Sequence, residues 1–388
     1  MAFAPDGKTL LVGCGSRDPE TRKLALDDRK KLASLRLFTT EPEKPAPVKP
    51  EPEKPAVRQW TDAAVLNDHG DLVNGVAIAP DGKTIVATAA NGMIMFWDAG
   101  NFKRIDSINR STKGAYGLSF APDGTALAVG SDTGILGYEL PGLKGAKWEE
   151  NHVKFGRVDA VAFSPDGTRV AASDGYVTRV RSLDGKGEIA SIGKHPKGAA
   201  AMVPAGVAWS KDGKRLALIR SEQVGDKWPV VLWSGDSDGP VELLAGHMDR
   251  VTCVAWSADG KVIASGDEKG TVILWDAATG KELWRKTFHG RDEPIGRVNA
   301  LAFSPADTTL AAAVSLHTGR GVERVVLLNS NDGKNLEHLM RPWVVPVTSL
   351  AWAKDGNRLV TGCGWVLGLP MNQNEKAVGE VVVWERKP

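Results

Sequence analysis

A short strand that ends on an aromatic residue or isoleucine and runs into a turn, mostly Asp-Gly, recurs along the whole chain. It reads FAPDG from Phe3, IAPDG from Ile78, FAPDG from Phe120, FSPDG from Phe163, WSKDG from Trp209, WSADG from Trp256, FSPAD from Phe303 and WAKDG from Trp352. From Ile78 onward the copies stand 42 to 49 residues apart. The stretch Gly246 to Asp276, GHMDRVTCVAWSADGKVIASGDEKGTVILWD, shows what one copy contains. RVTCVAW, KVIASG and TVILWD are β-branched and aromatic runs, and the gaps carry the Asp, Lys and Gly of tight turns. A sheet this small cannot bury its own faces, so it has to be repeated and stacked.

The period is that of a propeller blade of four strands. The third strand of a unit often closes on an aromatic and a polar residue: Trp97-Asp98, Tyr138-Glu139, Trp233-Ser234, Trp275-Asp276 and Trp384-Glu385. With Gly246-His247 before the inner strand, these pairs resemble the WD-repeat family of β-propellers over nearly the whole chain. The resemblance implies an all-β fold of four-stranded antiparallel blades and says little about function. Val57 to Leu66 looks like an outer strand, and seven units of outer, inner, second and third strand can be counted from it to Glu385. The last unit stops after its third strand, and Val57 to Leu66 supplies the missing outer strand, as is usual in the family. A closed seven-bladed ring over residues 56–388 is expected.

Residues 1–38 read as a partial blade. FAPDGKTLLVGCG is most like WAKDGNRLVTGCG of the last unit, which suggests the end of a preceding propeller in a longer protein. The alternative is a single eight-bladed ring. Between the two lies a linker, 39–55, in which EPEKPAPVKPEPEKP from Glu41 can neither pair in a sheet nor bury apolar surface.

The inner strands line the channel of a propeller. They read VNGVAI from Val73, AYGLSF from Ala115, VDAVAF from Val158, PAGVAW from Pro204, VTCVAW from Val251, VNALAF from Val298 and VTSLAW from Val347. Their fourth and sixth positions are large and their third and fifth small, so the bulky face of one blade packs on the small face of the next. They hold one carboxylate, Asp159, and no histidine, whereas acid–base chemistry wants two converging groups and a metal three or four ligands. No catalytic, cofactor or metal site is expected. Cys14, Cys253 and Cys363 are too scattered for a metal or a disulfide framework.

His69, His152, His195, His247 and His289 stand just before inner strands, where the family has its Gly-His. The resemblance implies hydrogen bonds from such a histidine to a Ser or Thr of the second strand and an Asp of the following turn. Ser265 fits for His247, but Lys269 stands where the Asp is usual, so an incomplete network is expected. His247, Ser265, Trp275, Asp276, Trp97, Asp98 and Trp384 are read as structural.

One pattern points to function. Arg157, Arg250 and Arg297 share a position six residues before the terminal aromatic, at the channel mouth, and favour an acidic partner segment. The plainer reading is a solvated arginine stacked on its neighbour. The connection from Gly364 to Gly379 carries Trp365 and Leu367, apolar for a loop, and reads as a second partner surface or a flap over the adjacent blade. A net charge of +2 with 25% charged residues gives no reason to expect nucleic acid or a membrane as partner. No apolar run approaches the ~18 residues of a membrane span.

The reading is a non-catalytic protein–protein interaction scaffold without cofactors, a monomeric cytoplasmic propeller within a larger protein. The alanine-rich, PDGKTL-like style suggests a bacterial source. The rivals are a propeller enzyme, such as a lactonase or other hydrolase, and a sensor or anchoring domain for a catalytic domain outside this chain.

Overall fold

The computed structural model describes residues 2–3, 9–13, 35–39, 60–109, 114–140, 148–151, 157–184, 187–195, 204–234, 241–288, 296–316, 324–340, 346–363 and 379–387. The chain divides into two compact units, Met1–Val57 and Arg58–Pro388. In the first, Ala2–Phe3, Thr9–Gly13 and Leu35–Thr39 form a three-stranded antiparallel sheet in that order. The expected linker over 39–55 falls, beyond Thr39, outside the described residues.

The second unit is a ring of seven four-stranded antiparallel blades. Blade one runs from the channel outward as Val73–Ile78, Thr84–Ala89, Met93–Asp98 and Arg104–Asn109. The inner strands of blades two to seven are Ala115–Phe120, Ala160–Phe163, Val207–Trp209, Val251–Trp256, Gly296–Phe303 and Val347–Trp352. Blades three and four start their inner strands later than the pattern predicts. In blade three the Val158 amide bonds to Ser131 of blade two instead, and in blade four Pro204 has no amide to give.

Closure joins the two ends of the ring. The strand Trp60–Leu66 is the outer strand of blade seven, pairing Val65 with Val382 and Trp60 with Arg386. Its first residue is held on several sides. The Trp60 ring meets Trp352 edge-on at 5.4 Å, its amide donates to Glu337 Oε1 at 3.0 Å, and the Arg386 guanidinium lies over it while bonding to Asp307 at 2.7 Å.

The core is divided among the blade interfaces. Seven apolar clusters occur among the described residues, each drawn from two neighbouring blades, and the one joining blades seven and one unites Val381 and Val383 with Val73, Ile85 and Trp97. The alternation of small and large along the inner strands has a direct cause. A methyl on Gly75, the third position of blade one, would come within 2.5 Å of Leu118 Cδ2, the fourth position of blade two. Likewise a methyl on Gly117 would meet the Asp159 carbonyl of blade three at 2.6 Å.

Polar latches repeat around the ring at the second inner-strand position. Asn74 donates to the Ala115 carbonyl at 2.8 Å, Asn299 to Val347 at 2.9 Å, Thr348 to Val73 at 3.0 Å, and Thr252 to Val298. Each spans from one blade to the first inner residue of the next. Arginines at the start of the second strand add clamps near the Asp-Gly turns. Arg169 lies over Trp209 and donates to Gly213, Arg215 lies over Trp256 and donates to Ala277, and Arg358 donates to Ala99 across the closure.

A candidate interaction surface at the mouth of the ring

Approaches to the inner strands and turns after the second strands lie at the same end of an antiparallel blade. They form one mouth of the channel, where Arg157, Arg250, Arg297 and His247 stand. The most complete arrangement is in blade five. The His247 ring is buried, with Nδ1 2.8 Å from Asp267 Oδ2 and Nε2 2.7 Å from Ser265 Oγ, and Trp275 Nε1 donates to the same Ser265 Oγ at 2.8 Å. The expected gap in this network at Lys269 does not exist. The carboxylate comes from Asp267, two residues after Ser265 and so on the same face of the strand. Its other oxygen accepts from the Lys269 and Thr271 amides and shapes the turn.

The other described histidines depart from this pattern. In blade one the counterparts of Ser265 and Asp267 are Ala87 and Ala89. There the His69 ring packs at a tilt of 47° against Trp97, centroids 5.0 Å apart, and burial pushes its imidazole down to about 4. His195 turns back to blade three, with Nε2 2.9 Å from Asp174 Oδ2. His152 and His289 lie outside the described residues. In blade seven Trp384 Nε1 donates to Thr361 Oγ1 at 3.3 Å, and Cys363 stands where blade five has Asp267. Trp97-Asp98 and Trp275-Asp276 close their third strands. The Asp98 and Asp276 carboxylates accept amides of the next turn, Gly100 and Asn101 in one case and Ala278 and Thr279 in the other. Cys253 is fully buried, and burial pushes its thiol up to about 12, which makes it an inert packing residue.

The three arginines share a position but not an environment. Arg157 lies 3.7 Å over the Tyr116 ring and bonds Asp159 Oδ1 at 2.5 Å. Tyr116 donates to Asp132, whose other oxygen accepts from the Gly114 amide at 2.7 Å. Burial pushes the Asp159 carboxyl up to about 6 despite Arg157, and it pushes the Tyr116 phenol above its ordinary value. Blades two and three therefore replace the Asn or Thr latch with a Tyr–Asp–Arg–Asp network. Arg250 and Arg297, from blades five and six, both approach Glu268 Oε1, at 3.9 and 3.5 Å. Arg250 also lies 5.2 Å over the Trp228 ring. Arg297 is the more buried, and burial lowers its proton affinity while Glu268 raises it. Trp365 and Leu367 lie outside the described residues. Among the described residues, no group of three or more His, Cys, Asp or Glu is placed to hold a metal ion, and no helix is long and apolar enough to cross a membrane.

The family model described as WD domain, G-beta repeat matches residues 60–98, 149–178 and 239–276. Two of these segments end on Trp97-Asp98 and Trp275-Asp276, and the last contains the whole His247–Ser265–Asp267–Trp275 arrangement. The chain is a WD-repeat β-propeller. Within this WD-repeat ring, the region of similarity to curated proteins is shorter than the ring itself. A small ribosomal subunit protein RACK1 from Brassica napus is 34% identical over 131 residues, 31% of this chain and 38% of that protein. Its counterpart in Candida albicans is 34% identical over 124 residues, 30% and 35% of the two chains. The one in Caenorhabditis elegans is 33% identical over 127 residues, again 30% and 35%. The match thus spans little more than a third of these relatives' own length.

Missing from the sequence-derived candidates were Asp267, the inter-blade latches and the arginine clamps. The clamps had a signal, since Arg169, Arg215 and Arg358 each stand two residues after the Gly of an Asp-Gly turn. Asp267 was hidden because the acid was sought in the turn rather than at the end of the strand.

Proposed function

We propose that this propeller is a non-catalytic interaction platform, one module of a larger protein, and that an acidic partner segment meets it at Arg250 and Arg297. The observation that carries this reading is the convergence of two guanidiniums from neighbouring blades on a single oxygen of Glu268. Both distances exceed the ~2.7–2.9 Å of a formed charge-assisted bond. Glu268 holds neither arginine tightly, and Arg250, whose side chain is 35% exposed, is open to an incoming carboxylate. Arg157 belongs to the same proposed surface but is engaged by Asp159 and Tyr116, so its share is smaller. Trp365 and Leu367 are proposed as a separate apolar contact. The printed name of the relatives, small ribosomal subunit protein, places those proteins in an assembly and supports a platform over an enzyme. A monomeric ring in the cytoplasm goes with this reading.

The test is fluorescence anisotropy of the full chain with a fluorescein-labelled decapeptide of Asp and Glu. Arg250→Ala should weaken binding about tenfold or more, in keeping with loss of a bond between charged groups, whereas Arg157→Ala should change it little. Wild-type binding should also fall as salt rises, because exposed charges are screened beyond ~8 Å at physiological ionic strength. Equal affinity for wild type and Arg250→Ala would reject the arginine mouth.

A further inference from the structure

Six of the seven blade interfaces carry, among the described residues, a hydrogen bond between the strands that line the channel. Asn74 makes it between blades one and two, the Gly117 amide and the Asp159 carbonyl between two and three, and Trp209 Nε1 and the Ala162 carbonyl between three and four. Thr252, Asn299 and Thr348 make it at the three interfaces from blade five round to the closure. Between the channel strands of blades four and five there is none among the described residues.

Three features of the residues produce this gap. Ala205 stands at the second position, where blades one, five, six and seven have Asn74, Thr252, Asn299 and Thr348, and a methyl has no donor to offer. At the sixth position the Trp256 indole N–H is buried without an acceptor. Its counterparts Trp209 and Trp352 reach the Ala162 and Ala302 carbonyls of the blade before, at 3.1 and 3.0 Å. The fit is also looser at the third position. A methyl on Gly206 would meet its nearest atom of blade five, Val254 Cγ1, at 3.6 Å, an ordinary contact, whereas methyls on Gly75 and Gly117 would come within 2.5 and 2.6 Å of the next blade. Val207–Trp209, with 3 residues, is the shortest channel strand of the ring. It meets blade five through the apolar contacts of Ala208, Val254 and Trp256.

The rim of the same interface is fastened. The outer strand of blade four, Val241–His247, ends on the ring that bonds Ser265 and Asp267 of blade five. Arg215 crosses at the turn end, over Trp256 and onto the Ala277 carbonyl, and Arg250 lies over Trp228 at the mouth. We propose that this interface is a door in the channel wall. It is hinged at the rim on the His247 network and parts at the channel edge, between Gly206 and Val254, while the other six interfaces stay shut. Parting breaks no hydrogen bond between channel strands, so it belongs to the low end of the range of local opening free energies. Water that enters gives the Trp256 N–H the partner it lacks, which offsets part of the cost of wetting apolar surface. The door does not depend on an acidic partner at the mouth.

The experiment uses the full chain and iodoacetamide under native conditions, read peptide by peptide in a mass spectrometer. Ala208 and Ala351 hold the same fifth position, both half-buried against the next blade's cluster, but the interface of Ala351 is latched by Thr348. The thiol of Ala208→Cys should be alkylated about tenfold faster than that of Ala351→Cys, with cooperative melting showing both variants folded. Adding Ala205→Asn, which places at the second position the side chain used by Asn74 and Asn299, should slow alkylation at 208 about tenfold. Hydrogen exchange of the unaltered chain gives a reading that needs no substitution: amides of Val207–Trp209 should exchange at least about tenfold faster than those of Leu350–Trp352. Equal alkylation rates, or equal exchange of the two strands, would reject the door. Fast alkylation at 208 that Ala205→Asn leaves unchanged would also reject it, because static exposure of the position then accounts for the rate.

Discussion

Ser265 Oγ is the meeting point of two buried ring nitrogens, His247 Nε2 and Trp275 Nε1. Removing it leaves both without that partner in a place water does not reach, and an unmet buried polar group costs about 1–3 kcal/mol. Ser265→Ala should therefore destabilise the ring by about 2–4 kcal/mol, read as a lower urea midpoint at neutral pH. Blade one shows the same corner without these partners. His69 is neutral in the fold because its pKa falls from 6.5 to about 4, whereas the unfolded chain takes up a proton below about 6.5. Its contribution to stability is fully present above that pH and is lost as pH drops from 6.5 to about 4, by at most about 3 kcal/mol. Asp159 works in the opposite sense, since its raised pKa of about 6 favours the fold on the acid side. Urea midpoints of wild type and His69→Leu between pH 7.5 and 4.5 should diverge, with the variant losing less stability as the solution is acidified. Parallel curves would show that His69 is not buried as described.

The blade as an element is defined by what its neighbour allows. Third positions of the inner strands are Gly75, Gly117, Ala160, Gly206, Cys253, Ala300 and Ser349; all are small, and at Gly75 and Gly117 the next blade's inner strand occupies the space. Gly75→Ala would press a methyl against Leu118 and the Tyr116 carbonyl, 2.5 and 2.9 Å away. Leu118 can turn aside but the carbonyl cannot, so a cost of about 1–3 kcal/mol is expected from overpacking, measurable by calorimetry. A destabilisation below about 0.5 kcal/mol would mean that the blades slide apart easily. The latches also belong to this scale. Thr and Asn each carry one donor that reaches a carbonyl across the interface, and where Tyr116 and Asp159 replace them the ring depends on the Arg157 network instead.

For the whole molecule, the ring closes only because a strand from the beginning of the unit completes the last blade. Without Trp60–Leu66, the third strand Val381–Arg386 would present unpaired backbone groups, and such edges invite pairing with other chains. The closing interface would also lose Leu66 from its apolar cluster and the Trp60 anchor to Trp352, Glu337 and Arg386. A chain lacking residues 60–66 should therefore aggregate or unfold at a markedly lower temperature, which light scattering and a thermal melt will show. An unaltered melt would mean that the last blade does not need this strand.

Much of this architecture was legible in the residues alone. Strand periodicity, the Asp-Gly turns and the 42–49 residue spacing are local consequences of short hairpins, so they specified blades, their number and the pairing that closes the ring. Small and large inner positions likewise follow from strand alternation. Tertiary structure alone decided what each repeated residue does. Arg157, Arg250 and Arg297 are equivalent in the alignment of blades, yet one is spent on Asp159 of its own blade and Tyr116 of the blade before, while two converge on Glu268 of blade five. Five histidines share a sequence position, but only the partners folded beside each one separate the bonded His247 from His69, which packs against Trp97. Repetition writes the backbone into the sequence, whereas charge partners, burial and pKa depend on the side chains that the folded blade and its neighbours set beside each position.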